Sequence, residues 1–165
     1  MPNLKSNPIF RFILFSCLLA LFLMTSCNKD TQDPFANCSL SGPDFDIADI
    51  SGDWTASIAN YMDLVSRHYK DLVKEGGYTN LNIQSNGRFK LEIQEVGRDL
   101  LVQQGIFSFC DGKFYARFDD APDTTEEFRP ELTDTYFYYN GPTDYDYDGD
   151  GMEQRVIIGF TFVRP

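Results

Sequence analysis

The stretch Leu81-Asn82-Ile83-Gln84-Ser85-Asn86-Gly87-Arg88-Phe89-Lys90-Leu91-Glu92-Ile93 decides the fold class. Leu81 and Ile83 alternate with polar residues, Ser85-Asn86-Gly87 supplies a turn, and Phe89, Leu91 and Ile93 resume the alternation. Successive side chains on a strand point to opposite sides, so this pattern is a hairpin with one apolar face, closed by the favoured Asn-Gly pair.

The same signal repeats downstream. Residues 99–109 and Lys113–Phe118 form a second strand pair around Cys110-Asp111-Gly112, a turn with Gly in it. Residues 121–131 read as an acidic loop with two prolines, and Thr133–Tyr139 and Gln154–Val163 are dense in aromatic and β-branched residues, as strands are. Upstream the period changes. Ile58, Tyr61, Met62, Val65, Tyr69, Leu72 and Val73 recur at spacings of three and four, which predicts an amphipathic helix over Ser57–Glu75 stopped by Gly76-Gly77. The lone histidine, His68, lies at the edge of that stripe and is assigned no catalytic role. The expectation is a mainly β domain: hairpin-linked strands in an up-and-down barrel or strongly curved sheet, with one helix after the first strand.

The N-terminus is an address. Lys5 and Arg11 precede the apolar run Phe12–Met24, which leads into Thr25-Ser26-Cys27. A positive end, a short apolar core and small residues make a secretory signal; the run falls short of the roughly 20 residues of a membrane span. Residues 28–46 contain Pro34 and Pro43 and lack apolar periodicity, which predicts a flexible tether over 27–46 and a single domain over 47–165.

Removing residues 1–26 leaves 139 residues with a formal charge of −13. Nucleic acid is excluded as a partner, since phosphate binding needs Lys and Arg. Residues 119–153 hold 12 of the 25 acidic side chains and one basic residue, Arg129, a cation-attracting surface. Cys38 and Cys110 are either a disulfide, in keeping with an oxidising compartment, or two unpaired thiols.

Three resemblances attach to these residues. Met24-Thr25-Ser26-Cys27 resembles the lipobox of bacterial lipoproteins, with Met where the family usually has Leu. This resemblance implies a signal peptide over 1–26, lipidation of Cys27 and attachment to a membrane through that lipid. Asn28-Lys29-Asp30 loosely resembles the export signals of Bacteroidetes surface lipoproteins, so the implied location is the outer membrane, facing the periplasm or the cell surface. Gly52-Asp53-Trp54, the hairpin at Gly87 and the run Gly105-Ile106-Phe107-Ser108-Phe109 are similar to the lipocalin-like domains of bacterial lipoproteins. That family implies a structural role for Gly52 and Trp54, whose ring plugs one barrel end, and an apolar small-molecule ligand. The expected helix also fits a second architecture, a cystatin-like or nuclear-transport-factor-like curved sheet around a helix.

Asp144-Tyr145-Asp146-Tyr147-Asp148-Gly149-Asp150-Gly151-Met152-Glu153 is the most chemically specific segment. Calcium takes roughly six to eight oxygen ligands, and Asp at every second position of a Gly-containing loop aims several carboxylates at one centre. The run resembles Asp-x-Asp-x-Asp-Gly calcium loops in two registers, starting at Asp144 or at Asp146. Asp144, Asp146, Asp148, Asp150 and Glu153 are the candidate calcium ligands; the plain alternative is a solvated acidic hairpin tip. No nucleophile–base pair, phosphate loop or zinc cluster is visible, so the expected function is a non-enzymatic, lipid-anchored binding module for an apolar ligand, or an accessory subunit of an envelope complex stabilised by calcium.

Overall fold

The computed structural model describes Phe35 and residues 37–165. The expected signal peptide over 1–26, Cys27 and most of the first half of the expected tether lie outside the described residues. Nine strands follow in chain order: β1 (Gly52–Asp63), β2 (Tyr69–Asp71), β3 (Tyr78–Ile83), β4 (Arg88–Gln94), β5 (Leu101–Cys110), β6 (Lys113–Phe118), β7 (Glu126–Leu132), β8 (Phe137–Tyr145) and β9 (Gln154–Val163). Every pairing is antiparallel. Strands β3 to β9 run in sequence order from β1, and β1 pairs back onto β9 from Thr55↔Val163 to Asp63↔Val156, closing an eight-stranded barrel with β2 as one extra strand beside β1.

Closure settles the choice between barrel and open sheet. It also removes the sheet edges that hairpin-linked strands would otherwise expose. The turns do what their residues dictate: Asp111 (φ 53°) and Gly112 (φ 75°) both take positive φ between β5 and β6, the two-residue turn whose twist matches the flanking strands. Gly105 faces Phe89 across β4 and β5, and an added Cβ would sit 2.3 Å from the Arg117 carbonyl and 2.8 Å from the Phe89 ring. Only Gly leaves room for that ring.

The expected helix over Ser57–Glu75 is not formed; no helix occurs among the described residues. The segment is the second half of β1, a turn, the short strand β2 and a second turn. The physical reason is a β-bulge between Ala56 and Ile58 in the pairing with β9. An extra residue moves the inward face by one position, so the buried residues of β1 are Trp54, Ala56, Ala59 and Tyr61. That phase jump gives a strand helix-like spacings. Of the supposed apolar stripe, Tyr61 and Leu72 are buried, whereas Ile58, Val65 and Tyr69 are exposed. Without a helix, the cystatin-like and nuclear-transport-factor-like alternative falls. The expected acidic loop over 121–131 is also partly strand: β7 buries Phe128 inward, with Leu132 packed at the core's edge, and shows Glu127, Arg129 and Glu131 outward, an alternation masked by Pro130.

One end of the barrel is sealed by the chain that enters it. Ser39 and Phe109 exchange backbone hydrogen bonds of 2.8 Å in both directions, and Phe45, Ile47 and Ile50 are buried in the core. Cys38 and Cys110 are disulfide-bonded, with Cα atoms 4.5 Å apart. A link over a sequence separation of 72 constrains the unfolded chain by about 4 kcal/mol in the chain-entropy account. The expected tether over 27–46 is therefore packed against the barrel from Cys38 onward. Trp54 lies at this end, its indole N–H donating to the Ile50 carbonyl at 2.8 Å and the Arg164 guanidinium 4.2 Å above its ring.

Candidate functional site

Phe89, Leu91 and Ile93 face inward along β4, and the next inward position beyond the strand is Glu95, nearly buried at the end of the barrel opposite Trp54. A carboxylate there needs partners, because an isolated buried charge is costly. Three converge on it. Lys70, the middle residue of β2, forms an ion pair with Glu95; Tyr145, the last residue of β8, donates to it; and Arg98 Nη1 lies 3.4 Å from its Oε1. The extra strand β2 thereby acquires a structural role, since it carries Lys70 beside Tyr61 on β1, within reach of Glu95.

Tyr61 stacks on Tyr145 with ring centroids 4.7 Å apart, and its buried hydroxyl makes no hydrogen bond of sound geometry. Burial, then the neighbouring Tyr145, pushes the Tyr61 pKa well up; burial, then the bond to Glu95, does the same for Tyr145. Both rings stay neutral across the physiological range. These groups border the barrel interior, where a cavity of about 20 Å³ remains, lined by Tyr61, Phe89, Phe107, Tyr139 and Phe160 among others. That is space for about one water, against the several hundred Å³ of a ligand pocket. Stacked and edge-on rings fill the rest: Phe89 on Phe107 at 4.2 Å, Phe107 on Phe114 at 4.9 Å, Tyr139 against Phe160 at 5.7 Å.

Larger hollows are open depressions on the outside. One of them, about 460 Å³, lies over Asp53, Trp54, Thr55, Asn80, Leu81, Asn82, Lys90 and Glu92. Its polar groups already pair with one another: Thr55 with Asn80 at 3.1 Å, Asn82 with Asp53 at 2.7 Å, Lys90 with Glu92 at 2.6 Å. An apolar interior with a polar outer surface is the reverse of a barrel that spans a membrane.

Arg98 joins the Glu95 cluster to the Asp-rich loop, donating to the carbonyls of Asp146 at 2.6 Å and Tyr147 at 3.3 Å. Gln154 grips the same loop, accepting from the Tyr147 N–H at 2.8 Å and donating to Asp148 at 3.0 Å. Within it, Asp146, Asp148 and Asp150 each bring a carboxylate oxygen to within 4.8 Å of the others. Backbone N–H groups meet them: Gly149 on Asp146 at 2.7 Å, Asp150 on Asp148 at 3.3 Å, Met152 on Asp150 at 2.8 Å. The bond from Gln154 first, then the Asp150 N–H, holds the Asp148 carboxyl below the usual carboxylate range.

Of the five candidate ligands, three therefore converge. Asp144 turns to Arg155 at 3.3 Å, and Glu153 is exposed outside the group. This arrangement matches the register that starts at Asp146. Three clustered carboxylates fit a hard cation such as calcium in donor type. His68 packs edge-on against Tyr147 at 6.1 Å. The Glu95 cluster escaped the sequence reading, although the signal was there: extending the inward phase of β4 by two residues lands on an acid. Together, fold and site define a filled antiparallel barrel with an ionic cluster and an acidic loop at one end. No family model, curated protein or solved structure matches the chain.

Proposed function

We propose that this protein is a lipid-anchored, non-enzymatic component of the bacterial envelope, whose barrel is a rigid scaffold that displays loops. The observation that carries this reading is the filled interior, with a cavity of about 20 Å³. It favours the accessory-subunit alternative over a container for an apolar small molecule. The anchor rests on the lipobox-like Met24-Thr25-Ser26-Cys27. Metabolic labelling with a fatty acid tags the wild-type protein, and Cys27→Ser loses both label and membrane association; equal labelling of the two overturns the anchor. An apolar fluorophore titrated into the Cys27→Ser protein shows no saturable uptake; saturable, displaceable binding restores the container.

A second reading, favoured by the convergence of Asp146, Asp148 and Asp150, is that calcium braces the loop between β8 and β9. At an affinity of roughly 10⁻⁴ to 10⁻³ M, usual for extracellular modules, several millimolar calcium stabilises the folded state by about 1 to 2 kcal/mol. The melting temperature then rises by several degrees, rises less with magnesium, and is little changed in Asp146→Asn/Asp148→Asn. An equal shift from simple salt at matched ionic strength would assign the effect to screening.

A further inference from the structure

Eleven large apolar side chains are exposed among the described residues, and nine of them lie at the Glu95 end of the barrel, on its loops and the adjoining strand ends. The most exposed are Val65, Val96 and Met152, at 93%, 70% and 66%. They come from three separate loops that the structure ties together: His68 packs on Tyr147, Arg98 holds the carbonyls of Asp146 and Tyr147, and Lys70 reaches Glu95. Apolar tips gathered on one rim are unlike singly scattered surface hydrophobics, and such clusters mark interaction sites.

The same rim is strongly acidic. Its loops over residues 119–125 and 146–153 hold seven acidic side chains and no Lys or Arg; of these acids, Asp119 is paired with Arg88. The nearby bases Lys70 and Arg98 are taken by Glu95 and Lys74 by Asp71, so that Arg67, exposed in the loop that carries Val65, is one positive charge set against these acids. The opposite end is closed by the chain's own Phe45, Ile47 and Ile50 and by the Cys38–Cys110 disulfide, and this rim is the end that the described residues leave unclosed.

We infer that the rim formed by the loops around Val65, Val96 and Met152 is a docking surface for a protein segment in which apolar side chains alternate with lysine or arginine. Charge complementarity selects this occupant. An anionic lipid surface would be repelled by the acids, and a second copy of the same rim would set acid against acid. The inference rests on reading the barrel as a scaffold that displays its loops.

The test uses the mature Cys27→Ser protein in EDTA and three fluorescent peptides: one alternating Leu and Lys, one alternating Ser and Lys, one alternating Leu and Glu. The Leu/Lys peptide binds at least about tenfold more tightly than either control, and Val65→Ser/Val96→Ser/Met152→Ser weakens it by about tenfold. Leu40→Ser, at the sealed end, leaves binding unchanged and controls for the added serines. Equal binding of the Ser/Lys peptide reduces the rim to a non-specific charge sink and overturns the inference. So does association with phosphatidylglycerol vesicles, or a dimer that the triple variant abolishes, in place of peptide binding. Failure here leaves fatty-acid labelling and the fluorophore titration untouched, so it is distinguishable from failure of the scaffold reading.

Discussion

Trp54→Ala lowers the unfolding free energy by about 3 to 5 kcal/mol, as truncation of a packed aromatic side chain does. The ring is 4% exposed and lies 5.9 Å from Phe137, centroid to centroid. Its loss also leaves the Ile50 carbonyl without the indole donor. Arg164, which stacks on the ring while donating to the carbonyls of Ser51 and Asp49 at 3.1 and 3.2 Å, loses its platform, so the seal at this end loosens along with the core. Trp54→Phe costs less, because most of the packed surface stays and the donor alone goes. Since Trp54 is the only tryptophan of the chain, urea unfolding is followed by circular dichroism rather than fluorescence. A change below about 1 kcal/mol, the range of ordinary surface substitutions, would mean that the ring does not hold that end of the barrel.

The second large effect lies at the other end. Glu95→Ala destabilises by about 3 to 5 kcal/mol, because removing one partner of a buried ion pair leaves the other desolvated and uncompensated. The side chains of Glu95 and Lys70 are 7% and 17% exposed, so Lys70 cannot recover full hydration, and the Tyr145 hydroxyl loses its acceptor. Replacing both charges at once, Lys70→Met with Glu95→Leu, costs much less than the single change, since an apolar pair of similar volume often substitutes for a buried ion pair without loss. Urea unfolding of Lys70→Met, Glu95→Leu and the double variant forms the cycle. If Glu95→Ala and the double variant are equally destabilised, the cluster owes its stability to packing and not to charge.

The hairpin from Leu81 to Ile93 was legible because local signals agree there: strict alternation, an Asn-Gly turn, and partners only a few residues apart. The pair β5–β6 was legible for the same reason. The first strand was not, because its inward face jumps by one residue at the bulge near Ser57, and a jump of that kind imitates helical spacing. The jump is set against β9, about a hundred residues later in the chain, while β3 and β2 pair with the other edge of β1. β7 was hidden because its inward face holds only two apolar side chains of any size, Phe128 and Leu132, with Pro130 between them, and neighbours on β6 and β8 supply the rest of its ladder. The Asp-rich loop was read as five ligands, yet Arg155 draws Asp144 aside. Its partner could not be known before β8 and β9 were set in register.

The sequence by itself determined the antiparallel, hairpin-linked β class, the apolar and polar faces of most strands, and the acidity concentrated in residues 119–153. Each follows from residue type and near-neighbour spacing. Tertiary structure alone decided that β1 closes onto β9, that the aromatic side chains fill the barrel instead of lining a pocket, and that Glu95, Lys70, Arg98 and Tyr145 meet at its end. These depend on contacts between residues far apart in the chain. A side chain's type fixes which face it prefers, but the volume left inside a closed barrel and the partner available to a buried charge are properties of all the strands together.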